Sequence, residues 1–195
     1  MKGLFDILVS LLALIILLPF LLIISIWIVL DSRGGVFYSQ KRVGRNNHDF
    51  MLLKFRSMRP DSDQKGLLTI GGRDPRITRA GYFLRRTKLD ELPQLLNIIS
   101  GQMSIVGPRP EVRKYVELYT EEQLKVLEVK PGLTDYASLA YMNESEILSQ
   151  HSDPEKAYIE IIMPAKLELN LKYIRERSMV KDIAIILKTI LRIFK

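Results

Sequence analysis

The chain has 195 residues and a formal net charge of +7 at pH 7. It contains no cysteine, which excludes a disulfide framework and any thiolate metal site. The length suits one domain with a membrane appendage. Between Lys41 and Lys114 roughly sixteen Lys and Arg face about seven acids, which points to an anionic partner: a phosphorylated small molecule, a lipid headgroup or nucleic acid.

From Ile7 to Leu30 runs a stretch of about 24 residues without a charge, long enough for a membrane helix. It exceeds the core of a signal peptide, and no small-residue cleavage site follows it. Pro19 lies near its middle, where it removes a backbone donor and breaks or kinks the helix. Both flanks are basic, with Lys2 before the run and Arg33, Lys41 and Arg42 after it, and cationic flanks favour the cytoplasmic side. Two readings stay open on these residues. One is a re-entrant helix that turns at Pro19 and leaves on the face it entered; the other is a single-pass helix with a tolerated proline. Trp27 suits the exit interface, and Asp6 fits either reading at headgroup depth.

Val36 to Gln40 reads as a strand, Gly44 to His48 as a turn, and Asp49 to Met58 as a second strand, together a hairpin. Lys54 and Arg56 alternate on that strand, so the pattern puts both on one face. Pro60 to Gly72 reads as a surface loop. Arg76 to Arg86 reads as a helix, and a second follows with Leu92, Leu95, Leu96 and Ile99 at helical spacing, ending near Ser100-Gly101. Met103 to Val106 is a short strand leading into Gly107-Pro108-Arg109-Pro110, which cannot be regular structure. Glu111 to Val129 reads as a helix, broken by Lys130-Pro131-Gly132. Asp153 to Arg177 reads as a charged helix that Pro164 bends. Met179 to Lys195 is amphipathic. Ile183, Ile186, Leu187, Ile190, Leu191 and Phe194 lie opposite Lys181, Lys188, Arg192 and Lys195, a pattern that fits an interfacial helix or a core-packing one.

The informative stretch is Arg85 to Leu95 (RRTKLDELPQL). Pro93 belongs in the first turn of a helix, which puts the start near Asp90 with Asp90 as its cap. A capping box from Thr87 is the other register. The helix amino end favours negative charge at Asp90 and Glu91, while Arg85 and Arg86 add cations. Phosphoryl transfer needs such a set: cations to offset charge, a carboxylate to attack phosphorus and a divalent ion to bridge oxygens. Adjacent acids without histidine favour Mg2+ over zinc. Acids in a first turn also simply stabilise helices, so the motif alone leaves both roles open. Lys54 and the proline-flanked Arg109 extend the cationic set. His48 and His151 sit in polar loops. Gln94, Asn97 and Asp135 are undecided.

In this order and spacing the motifs resemble the monotopic phosphoglycosyl transferases, the bacterial sugar transferases, in their small form. They are the apolar segment with Pro19, KRVG (Lys41 to Gly44), KFRSM (Lys54 to Met58), the run from Arg73 to Gly101, MSIVGPRP (Met103 to Pro110) and KPGLT (Lys130 to Thr134). The resemblance covers almost the whole chain. It implies an α+β fold: a re-entrant membrane helix over residues 1–33, and over 34–195 a cytosolic catalytic domain with a small β-hairpin or sheet element and interfacial amphipathic helices. It implies an enzyme at the cytoplasmic face of the bacterial inner membrane that acts on a UDP-sugar and polyprenyl (undecaprenyl) phosphate among membrane phospholipids, with no nucleic acid partner. Asp90 would form a covalent phosphosugar intermediate and release UMP. Glu91, with Asp90, would hold Mg2+ and the diphosphate. Arg85, Arg109 and Lys54 would bind phosphate, and Pro19 would mark the membrane turn. The sequence departs from the family at Leu18, where serine is frequent, at Gln102, where aspartate is common, and at Asp135 to Ser138, where many members have Gly-x-Ala-Gln. A non-catalytic anchored protein with a lipid- or nucleic-acid-binding basic surface, and a direct glycosyl transferase, are the competing readings.

Overall fold

The computed structural model describes residues 2–60, 62, 66, 68–71 and 74–193. Phe194, Lys195, Arg73 and parts of the loop from Pro60 to Gly72 lie outside the described residues, as do the expectations that rest on them.

The first helix, α1 (Lys2–Asp31), is continuous through Pro19. At about 1.5 Å per residue its length approaches 45 Å. Its length and composition suffice to cross a membrane, and Leu12, Ile15, Ile16, Leu22 and Ile23 along it are exposed. Both ends are fastened to the same folded body. At the amino end Lys2 bonds Asp182 at 2.6 Å, and buried Asp6 accepts from the Ser104 hydroxyl at 2.7 Å. At the carboxyl end Ile24 and Ile28 join Phe55 and Leu84 in one apolar cluster, and Asp31 accepts the Ala80 N–H at 3.0 Å.

Arg56 completes that second attachment. Its buried guanidinium donates to the Gly35 carbonyl and the Ser32 hydroxyl at 2.6 Å each and to the Ser32 carbonyl at 2.8 Å. A cation here satisfies carbonyls that the end of α1 leaves without helical donors. The expectation that Arg56 shares a face with Lys54 is therefore corrected. The strand ends at Phe55, and the alternation ends with it.

The hairpin is present as β1 (Phe37–Val43) and β2 (Asp49–Phe55), antiparallel, with Phe37 opposite Phe55 and Val43 opposite Asp49. The first strand runs three residues beyond the expected end and the second stops three short. Helix α2 (Arg79–Arg86) starts later than expected because Thr78 caps it, accepting from Gly81 N–H. Arg76 instead pairs with Asp74 and draws in the carbonyls of Ser62, Gly66 and Leu68.

Helix α3 (Gln94–Ile99) leads to β3 (Ser104–Val106), which pairs in parallel with β4 (Gly132–Thr134). Two three-residue strands carry no readable period, so this pairing was not anticipated. The expected single helix over Glu111 to Val129 is corrected to α4 (Arg113–Val116), α5 (Glu121–Leu124) and a 3-10 turn (Lys125–Glu128). A capping box between Thr120 and Gln123 restarts the chain there. Four helices follow: α6 (Tyr136–Ala140), α7 (Glu144–Ser149), α8 (Pro154–Ala157) and α9 (Met163–Glu176), the last two joined by a π-helical segment over Tyr158–Ile162. Pro164 sits in the first turn of α9, directly after that widened turn, so the irregularity precedes the proline.

The last helix, α10 (Met179–Ile193), packs one side into the core. Ile185 is buried in the main core with Leu52, Ile98, Met103, Val106 and Tyr173, and Asp182 is buried against the Tyr173 hydroxyl. Ile183, Leu187, Ile190 and Leu191 stay exposed.

Candidate active site

The chain between α2 and α3 is a tight corner. Lys88 adopts a left-handed conformation (φ 57°), and Leu89–Glu91 form one 3-10 turn before Pro93 opens α3. A non-glycine residue in that region is uncommon and marks a constrained turn. Both expected capping registers are corrected. Thr87 donates its hydroxyl to the Phe83 carbonyl at 2.8 Å, and Asp90 caps nothing. The helix begins at Pro93 instead, so the two acids lie ahead of it and turn inward. Asp90 is 5 % exposed, and its Oδ1 is buried without a hydrogen-bond partner among the described residues.

Glu91 is the opposite case. Arg109 grips it with both arms, Nη1 reaching Oε2 at 3.0 Å and Nη2 meeting Oε1, and Lys54 Nζ lies 3.5 Å from Oε1. Several backbone contacts hold Arg109 in place. Gly132 N–H donates to the Pro108 carbonyl at 2.9 Å, Gly107 N–H to the Thr134 carbonyl at 3.1 Å, and Arg109 N–H to buried Asp135 at 3.1 Å. A Cβ on Gly132 would stand 2.1 Å from Gly107 N, so only glycine lets β4 approach the Arg109 loop this closely. From the hairpin, Arg42 bonds the Pro110 carbonyl at 3.2 Å and Glu111 at 3.0 Å. Asp135 also caps α6, which resolves its role as a brace between Arg109 and that helix. Asn97 is structural: it bridges β2 at Leu53 N–H and the Met51 carbonyl. Gln94 is buried, and neither polar atom of its side chain has a partner.

The acids open into a cavity of about 560 Å³, within the range that holds small ligands. Arg42, Lys54, Arg85, Lys88, Arg109 and Lys166 supply cations to its wall, and Arg85 is steadied by Thr69 at 2.7 Å. Other walls are apolar: Val9, Ala13 and Leu17 of α1, and Ile186 and Ile190 of α10. All five sequence-predicted site residues thus line one cavity, while Pro19 is not among its lining residues. Sequence reasoning missed Thr69 and Asn170 on the cavity wall, since an isolated polar residue in a loop or a charged helix carries no motif, whereas Ser138 closes the Asp135 to Ser138 stretch already noted as a departure from the family.

The two carboxyls differ electrostatically. Burial pushes Asp90 up, and the Glu91 charge adds to that against the pull of Lys54. Burial acts on Glu91 in the same sense, but the Arg109 charge and hydrogen bonds, with Lys54, outweigh it and hold that carboxyl well below the usual range. Burial lowers Lys54 to about 8 despite Glu91, and Glu91 raises Arg109. The expected helix-end stabilisation of ionised Asp90 is thus replaced by a desolvated carboxyl with one free oxygen.

A family model for the bacterial sugar transferases matches residues 1–195. The chain belongs to that family. It is a phosphoglycosyl transferase. An exopolysaccharide production protein of Rhizobium leguminosarum bv. phaseoli is 40% identical over 198 residues, covering 97% of this chain and 93% of the relative. A Bacillus subtilis relative, named as an undecaprenyl-phosphate N-acetylgalactosaminyl 1-phosphate transferase, is 44% identical over 121 residues, 62% of this chain and 68% of its own. The UDP-glucose:undecaprenyl-phosphate glucose-1-phosphate transferase of Escherichia coli is 36% identical over 193 residues. This transferase spans 97% of its own length in that match but 39% of the Escherichia coli protein.

The transferase's donor set also bears on a divalent ion. No cluster of three or more His, Cys, Asp or Glu exists among the described residues. Magnesium needs no such cage, because one or two carboxylates plus substrate phosphates suffice. Asp90, with its unpartnered oxygen, meets that lesser requirement, and Glu91 beside it would add only the lone pairs left by Arg109, which engages both its oxygens.

Proposed function

We propose that this transferase moves a sugar phosphate from a UDP-sugar to polyprenyl phosphate, typically undecaprenyl phosphate, releasing UMP through a covalent intermediate on Asp90. One observation carries the reading. A buried carboxylate oxygen with no protein partner faces a cavity whose floor is cationic and whose wall is a membrane-type helix. The cations suit the diphosphate, and the α1 wall suits a lipid acceptor. The names of the Bacillus and Escherichia coli relatives give the same acceptor, undecaprenyl phosphate.

In the first half-reaction Asp90 attacks the β-phosphorus. The carboxylate–phosphorus bond forms, the bond to the bridging oxygen breaks, and that oxygen leaves on UMP. In the second, the phosphate of the lipid attacks the same phosphorus and expels the Asp90 carboxylate, giving a polyprenyl diphosphate sugar. Arg85, Lys54 and Arg109 hold the phosphoryl oxygens and offset charge as it develops. Glu91 keeps Arg109 in its fixed orientation. Asp90 and Glu91 are the residues that would hold Mg2+, which when bound supplies charge neutralisation at the diphosphate.

We place the catalytic body on the cytoplasmic face, with α1 re-entrant as a helix that enters and leaves by that face while staying continuous through Pro19. Supporting this, both ends of α1 are bonded to the same body, while its middle offers exposed apolar side chains. The exposed face of α10 belongs to the same interfacial surface. The product is a lipid-linked sugar for glycan assembly such as O-antigen, capsule, exopolysaccharide or glycoprotein.

The test is incubation of purified protein with a panel of UDP-sugars and polyprenyl phosphate. UMP release, together with a phosphosugar adduct on Asp90 in a rapid quench, is expected. Asp90→Asn should lower turnover at least about a thousandfold without loss of membrane association. Release of UDP would identify direct glycosyl transfer instead.

A further inference from the structure

Among the described residues, three on the wall of the large cavity carry a buried polar atom without a partner: Asp90 Oδ1, Ser138 Oγ and Asn170 Oδ1. The proposed chemistry uses the first. The other two lie on α6 and α9, helices that pack together. Buried polar atoms are almost always paired, so an unpaired one that faces a cavity marks a ligand contact. Asn170 is 4 % exposed, and its amide makes no hydrogen bond among the described residues. Ser138 is fixed through its own N–H, which bonds the Asp135 carboxylate that also holds Arg109. Ser138 is therefore braced to the phosphate end of the cavity, and Asn170 lines the same cavity from α9.

Chemistry narrows what Asn170 can meet. Its carbonyl oxygen only accepts, so the partner must donate a hydrogen bond. Ionised phosphate oxygens donate nothing, and neither does a polyprenyl tail. The neutral part of the nucleotide sugar remains. A free carboxamide offers an acceptor beside a donor, the complement of the imide edge of uracil, where an N–H stands between two carbonyls. Tyr119 and Tyr141, both half-buried, line the same cavity, and aromatic faces stack on nucleobases.

Building on the proposed function, we propose that Asn170, seconded by Ser138, is a specificity-determining residue that hydrogen-bonds the nucleobase of the donor.

The test uses the full-length protein in detergent or nanodiscs, with UMP release from several UDP-sugars as readout. Inhibition by UMP and by inorganic pyrophosphate is measured in parallel. Asn170→Leu should raise KM for every UDP-sugar and the inhibition constant for UMP by about tenfold, the cost of one lost hydrogen bond in a buried site. It should leave inhibition by pyrophosphate and the preference among sugars unchanged. A merely structural role would weaken pyrophosphate as much as UMP and would overturn the proposal. A shift confined to the ratio between sugars would assign Asn170 to the sugar and also overturn it, as would an unchanged UMP constant. If Asn170→Leu does not fold, Ser138→Ala is measured the same way, with a threefold or greater loss of UMP affinity expected and no change refuting it. A parent protein that releases no UMP would refute the proposed function itself, an outcome distinct from these.

Discussion

Arg56 gives the most direct test of how the membrane helix is attached. Its guanidinium makes three short bonds, at 2.6, 2.6 and 2.8 Å, to groups at the end of α1, and it is 7 % exposed. Each bond contributes about 1 to 1.5 kcal/mol net, and its loss strands a poorly solvated carbonyl or hydroxyl. Arg56→Met should therefore cost about 3–5 kcal/mol. For a chain of this size that corresponds to a fall in Tm of about 6–20 °C. The assay is thermal unfolding in detergent for the parent, Arg56→Met and Lys54→Met, with KM for the UDP-sugar measured below the transition. Arg56→Met should lose stability and retain KM. Lys54→Met, at the phosphate end, should raise KM with a smaller loss of Tm. If Arg56→Met unfolds within 2 °C of the parent, or raises KM as Lys54→Met does, the attachment argument is refuted and the sequence expectation of a shared cationic face is restored.

Arg109→Lys replaces a two-armed grip on Glu91 with a point charge, so kcat should fall about a hundredfold with little change in Tm; an unchanged kcat would show that the grip is idle. Gly132→Ala would put a Cβ 2.1 Å from Gly107 N, a backbone atom that cannot move cheaply, and should leave little folded protein by size exclusion. The Asp74 carboxyl is held below its usual range, chiefly by the hydrogen bond from Arg76. A carboxyl depressed in the folded state stabilises above its unfolded pKa, and that contribution is lost as pH falls through the folded value. The Tm of Asp74→Asn should therefore trail the parent at pH 7, and the gap should close below about pH 4; a gap constant with pH would rule out the ion pair as its source.

How much of this was legible beforehand follows from the range of each signal. Asp90, Glu91 and Arg85 share one short segment, and Lys54 and Arg109 sit in motifs with fixed spacing from it, so the site could be assembled from sequence. The capping argument failed because it assumed that the chain enters α3 directly. Lys88 at φ 57° turns it first, and a lysine gives no warning of that. Arg56 was misplaced because strand alternation holds only while the strand lasts. The fastening of α1 was invisible for another reason. Lys2 meets Asp182 and Asp6 meets Ser104 across 180 and 98 positions of sequence, and no local pattern encodes such pairs. Asn170 was hidden inside a charged helix, where one more polar residue looks solvated.

The pairing of Glu91 explains why the neighbouring acid is the one left to react. Two adjacent buried carboxylates cannot both be ionised cheaply, because each raises the other's pKa. Here Arg109 removes the conflict by committing both oxygens of Glu91, so that acid stays charged and immobile. Asp90 keeps an oxygen that no described residue satisfies, and burial makes its charge costly despite the cations beside it. A nucleophile needs an oxygen free to form a new bond, and only Asp90 has one. Exchanging the two residues should therefore not exchange their roles: an aspartate at 91 is one methylene shorter toward Arg109, and a glutamate at 90 is one methylene longer than the nucleophile it replaces. The division of labour rests on side-chain length and on the Arg109 grip, not on the presence of two acids alone.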